Sequence, residues 1–299
     1  MGKTNVVPAA LSQAGIKEST LIMGAAGSGK TATILKPLVY QLLLQKKQGR
    51  KLGLTILEPR PDLTAMVAEM CKEMDIPCIH LKLADKEQVE HYLSESEINK
   101  HFEEGTILSI WVESRDRGFE RMVAARLEYG AAKRKNSAIP HYMVFEEYYR
   151  YINSETEEFL SVLSDRNIIG FFTFQLLRQM EVETKTTSGE QIKKLILDVC
   201  PNRVLFPRHP FFVEAYELFG IKDQTAIELL YHPKFDYIYQ LSEQGELLRT
   251  AIGKGEFVPD DWKERKEWER RSFRDRFKNW FDKGTGTGTG TGPLLRRLG

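Results

Sequence analysis

Residues Gly24, Ala25, Ala26, Gly27, Ser28, Gly29, Lys30 and Thr31 form an unbroken glycine-rich loop that ends in Lys-Thr. These types at this spacing suit polyphosphate chemistry. The glycines let backbone N–H groups approach an oxyanion, Lys30 can reach β and γ phosphate oxygens, and the Thr31 hydroxyl can ligate Mg²⁺. The apolar run Thr20–Met23 precedes the loop, and a segment of helical character, Thr31–Gln45, follows it. A strand that turns through glycines into a helix start aims several N–H groups at one point, and the helix dipole favours an anion there. The loop therefore predicts binding of a nucleoside triphosphate with magnesium.

A phosphate loop does not by itself separate a hydrolase from a switch. The run from His141 to Phe145 ends in Glu146 and Glu147, an apolar strand leading into two carboxylates. Such a strand end can set Glu146 against the magnesium shell and leave Glu147 to orient or deprotonate the attacking water. A second apolar strand, Ile169–Phe174, ends in Gln175, whose amide can sense a γ-phosphate or position water. Arg166, Arg178, Arg203 and Arg208 could stabilise transition-state charge, with Arg166 and Arg203 the first candidates. In a ring, one of them can act across the subunit interface. The six histidines have no metal-ligand spacing, and no Ser-His-Asp or Cys-His arrangement is suggested.

Positioning these groups requires strands that end together. Strands are predicted at Ser19–Met23, Leu52–Leu57, Pro77–Leu81, Thr106–Val112, His141–Phe145, Ile169–Phe174, Asn202–Phe206 and Phe235–Gln240. Helices are predicted at Lys30–Lys47, Asp62–Met74, Lys86–Phe102, Arg117–Lys135, Thr156–Asp165 and Gly189–Val199. The alternation implies an α/β fold, a parallel sheet covered on both faces that binds ligands beyond the carboxyl ends of its strands. Leu176–Gly189 grows polar and reads as a mobile loop; 207–210 and 231–233 are further breaks.

With 299 residues and a formal net charge of +1, the chain suits one sizeable domain with appendages, and any basic surface must be local. Two basic clusters stand out: Lys46, Lys47, Arg50 and Lys51, and then Lys133, Arg134 and Lys135. Both read more readily as solvated helix ends than as contacts to a phosphate backbone. Three unpatterned cysteines, no leader-like N-terminus and no apolar stretch near the ~20 residues of a membrane helix predict a cytoplasmic protein that inserts no segment into a membrane. Residues 1–258 are expected to form the main domain and 259–283 a charged amphipathic helix with Phe273, Phe277 and Trp280 on one face. That stripe either docks on its own domain or faces a partner. Residues 284–292 repeat Gly-Thr and suit a flexible linker, and Leu294–Leu298 beyond it is either a tethered docking peptide or a tail without function.

In order, these segments resemble the FtsK/HerA superfamily of ring ATPases, and within it the TraG-type coupling proteins of conjugation and type IV secretion. The likeness runs from about Ser19 to Phe206. It rests on Gly24–Thr31, on Leu54–Asp62 with Glu58, Pro59, Arg60 and Pro61, on Phe145 to Glu147, and on Gln175. It implies a RecA-like P-loop NTPase domain with a mainly parallel central sheet flanked by helices. It also implies hydrolysis of ATP with Mg²⁺ between the subunits of a hexamer, and DNA moved through a central channel. Arg166, by its place before the Gln175 strand, is similar to an arginine that acts between subunits. Relatives carry aspartate, lysine and glycine where Glu58, Arg60 and Pro61 stand here, and aspartate in place of Glu146. Two other readings are compatible with the motifs: a viral genome-packaging ATPase of the same superfamily, or a nucleotide-dependent assembly protein with slow hydrolysis. A secretion or packaging apparatus component is the expected partner of the motor readings, peripheral to any membrane, and the docking-peptide alternative for Leu294–Leu298 would supply the contact.

Overall fold

A computed structural model describes residues 18–114, 116–135, 138–206, 217–220, 235–243 and 246–255. Arg208, His209, His232, the expected helix 259–283, the linker 284–292 and Leu294–Leu298 lie outside the described residues. The sheet strands are β1 (Thr20–Met23), β2 (Gly53–Glu58), β3 (Cys78–Leu83), β4 (Ile107–Val112), β5 (His141–Phe145), β6 (Ile168–Phe174), β7 (Asn202–Leu205), β8 (Asp236–Glu243) and β9 (Glu246–Lys254). They form one sheet in the order β3-β4-β2-β5-β6-β1-β7-β8-β9. Pairings among β1 to β7 are parallel, whereas β8 and β9 add an antiparallel edge.

The helices are α1 (Lys36–Lys47), α2 (Asp62–Met74), α3 (Lys86–Tyr92), α4 (Glu95–Glu104), α5 (Arg117–Lys133), α6 (Thr156–Val162) and α7 (Gly189–Val199). Side-chain alternation in the strands divides them between two faces. In β5, Tyr142 and Val144 join the core under α1 and α2, with Leu38, Val39, Val67 and Met70. Met143 and Phe145 join the opposite core, with Phe102, Val123, Leu127, Phe159 and Ile192. Both faces of the central strands are therefore dry, which is why those strands read as continuous apolar runs.

Register brings the strand ends that matter to one edge. Met23 of β1 lies opposite Phe174 of β6 and Leu205 of β7, and Phe145 of β5 lies opposite Leu57 and Phe172. The phosphate loop, Glu58, Glu146 and Gln175 thus all leave the same carboxyl edge.

Three expectations need correction. The single helix Lys86–Phe102 divides because Ser94 is extended and its hydroxyl accepts the Glu97 N–H, the N-terminal signature of α4. The loop expected at 176–189 is tied down. It holds a 3₁₀ turn at Leu177–Met180, Thr184 N–H donates to Thr187 O at 3.0 Å, and the Thr187 hydroxyl donates to Glu157. Strand β9 escaped the sequence reading, although Gly245 separates two strand-like runs by a hairpin-length break. Among the described residues no helix is long and apolar enough to cross a membrane.

Helices α4 and α5 touch at Gly130, where a Cβ would sit 1.9 Å from Ile98 Cγ2 and 3.2 Å from Ile98 Cβ. Gly130→Leu should therefore lower unfolding free energy by on the order of 2 kcal/mol through overpacking. The denaturant midpoint reads this; an unshifted midpoint would mean that the helices do not meet there.

Candidate nucleotide site

The loop departs from β1 with the Gly24 N–H donating to Phe174 O at 3.1 Å, then tightens through a Ser28 N–H bond to Ala25 O at 3.1 Å. Gly27 and Gly29 hold φ of 72° and 110°, left-handed conformations that glycine adopts without a Cβ penalty. Gly24 is needed for a different reason: a Cβ there would lie 2.6 Å from Ser28 Oγ and 2.8 Å from Phe206 Cβ. Ala26 and Gly27 are exposed at the tip, while Ser28 and Lys30 are buried. A π-helical turn, Lys30–Leu35, leads into α1, whose first turn contains Pro37, a residue with no N–H to continue a straight ladder. The expected helix from Lys30 to Lys47 is thus helical throughout, in two registers.

Lys30 Nζ donates to Gly24 O and, at 3.1 Å, to Ala25 O, so its ammonium lies beneath its own loop. Burial lowers its pKa to about 8, opposed by the nearby carboxylates of Glu146 and Glu147 and aided slightly by Arg60.

The Thr31 hydroxyl donates to Glu146 Oε1. The other carboxylate oxygen of Glu146 is buried with no hydrogen-bond partner. A buried carboxylate oxygen so placed needs a cation or water, and it lies beside the hydroxyl expected to ligate Mg²⁺. Among the described residues no group of three or more His, Cys, Asp or Glu could hold a metal unaided. The donor set fits an ion bound by one hydroxyl, one carboxylate, phosphate oxygens and water, which is how Mg²⁺ is usually held.

Glu147 follows at φ 58°, a left-handed conformation unusual for a residue with a long side chain. Its N–H donates to Thr173 Oγ1 at 2.8 Å, so the β6 neighbour fixes the turn. Its Oε1 accepts from Gln175 Nε2 at 3.0 Å and lies 3.6 Å from Arg60 Nη2. Its Oε2 receives Tyr149 Oη at 3.3 Å and Arg150 Nη1 at 3.4 Å. Arg150 is itself anchored by Glu120, a fully buried carboxylate that receives its Nε at 3.1 Å on each oxygen. Beneath the strand end, Phe145 stacks on Phe172 at 5.7 Å and Tyr148 lies 4.5 Å from Phe172, while the Tyr148 hydroxyl donates to buried Glu128 at 2.7 Å. The two acids ride on a rigid aromatic mount.

Sequence reasoning brought Lys30, Thr31, Glu146, Glu147 and Gln175 together, and they meet in space. It missed Arg150, Glu120 and Tyr149, and it noted Arg60 only as a departure from relatives. Arg150 lies three residues beyond Glu147, a spacing that a one-turn helix brings face to face, and that signal was present in the sequence.

The other candidates lie elsewhere. Arg166 precedes β6 at the amino edge of the sheet, opposite to the site. Arg203 Nη1 donates to Leu218 O at 2.9 Å and its Nη2 to Leu197 O at 3.4 Å, which ties β7 to neighbouring chain. Arg178 is exposed in the 3₁₀ turn that follows Gln175. Glu58 is buried and caps α2, accepting N–H bonds from Leu63 at 3.1 Å and from Thr64; burial raises its pKa to about 7, against those bonds and with a further push from Glu146. The basic clusters are largely consumed in structure. Lys46 Nζ donates to Leu52 O at 2.6 Å and Gly105 O at 2.8 Å, buried Arg134 donates to Arg166 O at 3.1 Å, and Lys133 pairs with Glu158 at 2.7 Å.

No protein-family model matches the chain, and no curated protein matches it. Solved structures do. The bacterial conjugative coupling protein TrwB superposes with a TM-score of 0.55 at 8% identity, over 81% of this chain and 86% of that one. TrwB in complex with the ATP analogue ADPNP gives a TM-score of 0.53 at 10% identity, over the same shares of the two chains. VirB4 of Thermoanaerobacter pseudethanolicus gives 0.52 at 10% identity, over 83% of this chain and 93% of that one. At these identities the likeness is one of fold. The chain has the RecA-like P-loop fold of the TrwB and VirB4 structures, a mostly parallel sheet flanked by helices with its phosphate loop at the carboxyl edge.

Proposed function

We propose that this chain is an ATP-hydrolysing, DNA-translocating motor resembling the coupling ATPases of conjugation and type IV secretion, working as a ring, six-membered by the superfamily resemblance, with DNA in its channel. One observation carries the catalytic part: Thr31 on Glu146 and Gln175 on Glu147 converge on the mouth of a glycine loop. The shared fold with TrwB, a coupling protein solved with an ATP analogue, supports the choice of nucleotide and of mechanical class.

The chain's own groups divide the work. Loop N–H groups and the helix start cradle the phosphates, and Lys30 leaves the Gly24 and Ala25 carbonyls to meet β and γ oxygens. Thr31 and Glu146 would hold Mg²⁺, which supplies charge neutralisation on those oxygens when bound. Glu147 accepts the proton of the attacking water while Gln175 keeps its carboxylate oriented. Within one chain Arg166 sits on the far edge of the sheet, so any part it has in hydrolysis belongs to a neighbouring subunit's site. Arg203 is the weaker candidate for that part because its guanidinium already serves two backbone carbonyls.

Glu147→Gln should reduce steady-state ATP hydrolysis by about 10²–10⁴-fold while ATP still binds. Double-stranded or single-stranded DNA should raise the wild-type rate. Hydrolysis that survives in Glu147→Gln removes the general-base assignment, and hydrolysis indifferent to DNA favours an assembly protein over a motor.

Binding should also report on Lys30. Its ammonium is the form that attracts phosphate, so ATP affinity should be constant well below pH 8 and fall as the pH rises through about 8, by at most tenfold per pH unit. Lys30→Met should bind more weakly and lose this slope. An unchanged slope in that variant would assign the pH dependence to another group.

A further inference from the structure

The strand order gives the bound nucleotide a direction. Glu146, Glu147 and Gln175 follow β5 and β6, on one side of the phosphate loop; β7 and β8 lie on the other. The γ-phosphate belongs with the carboxylates, so the α-phosphate and nucleoside leave across the helix start toward β7 and β8. On that flank Phe235 immediately precedes β8. A Cβ on Gly29 would lie 2.6 Å from Phe235 Cδ1, so the ring edge rests directly on the last glycine before Lys30. Gly255, just past β9, closes the same corner: a Cβ there would lie 2.8 Å from Thr33 Cγ2 and 2.9 Å from Phe235 Cβ.

Phe235 differs from the aromatic residues around it. Phe206 and Tyr237 are buried and pack on each other at 5.4 Å, as core residues do. Phe235 is only half-buried and holds φ at 75°, a conformation a bulky side chain adopts only when its surroundings impose it. The start of the hairpin is thus bent so that an aromatic ring stands beside the phosphate loop.

We infer that Phe235 is the platform on which the base of the bound nucleoside triphosphate stacks. A ring face contributes affinity to any base and most to a purine, with no hydrogen-bond readout required. The inference rests on the reading of Gly24–Thr31 as a triphosphate site, and inorganic tripolyphosphate, which has phosphates but no base, separates the two.

Equilibrium binding of ATP and of tripolyphosphate, each with Mg²⁺, to the full chain and to Phe235→Leu provides the test. ATP should weaken about tenfold in the variant, while tripolyphosphate binds as it does to the wild type. Equal weakening of both ligands would make Phe235 a support for the loop, and no weakening of either would leave it without a ligand; each result overturns the inference. Wild-type protein that binds neither ligand would overturn the triphosphate-site reading beneath it. Phe235→Trp keeps an aromatic ring should the leucine variant fold poorly. Its added fluorescence should be quenched by ATP and not by tripolyphosphate, and a signal indifferent to both, or equally sensitive to both, would contradict stacking.

Discussion

The contact between Thr31 and Glu146 joins two segments that would otherwise only share a sheet. Thr31 opens the helix after β1, Glu146 ends β5, and β6 lies between those strands. Two inter-strand spacings separate β1 from β5, roughly 9–10 Å. A carboxylate on β5 must cross that gap to reach the loop, and the extra methylene of a glutamate over an aspartate adds reach. The contact forms only because parallel register brings both strand ends to the same edge, so the packing of both sheet faces serves one hydroxyl and one carboxylate.

Glu147 is governed by a different constraint. It is almost buried, and its carboxylate is surrounded by Gln175, Arg60, Arg150 and Tyr149. Desolvation of such a group is tolerable only where donors replace the lost water. The two arginines differ in kind. Arg150 is pinned by fully buried Glu120, whereas the Arg60 side chain is 61% exposed and reaches Glu147 from outside at 3.6 Å. Arg150 therefore belongs to the fixed frame, and Arg60 is the more exposed and more weakly held of the two.

What was legible in the sequence followed from backbone periodicity and glycine chemistry. The strand ends carrying Glu146 and Gln175 are apolar runs closed by a polar residue, and Gly24–Thr31 has few structural uses besides phosphate. What escaped depended on the third dimension. Lys46 and Arg134 looked like surface charge because each sits in a basic run, yet both turn inward to satisfy backbone carbonyls at the amino edge of the sheet. Glu58 stood out in the sequence only as a departure from the superfamily motif, and its part in capping α2 could not be read there. Arg203 looked free to act on a phosphate, and its guanidinium serves Leu197 and Leu218. Charged side chains commit to partners that periodicity cannot reveal.

The pairing of Thr31 with Glu146 is most directly tested by calorimetric titration of ATP with and without Mg²⁺ into the wild type, Thr31→Val and Glu146→Gln. If the two side chains hold the ion, Mg²⁺ tightens ATP binding in the wild type and that gain is lost in both variants. A magnesium-dependent gain that persists undiminished in both would contradict the site.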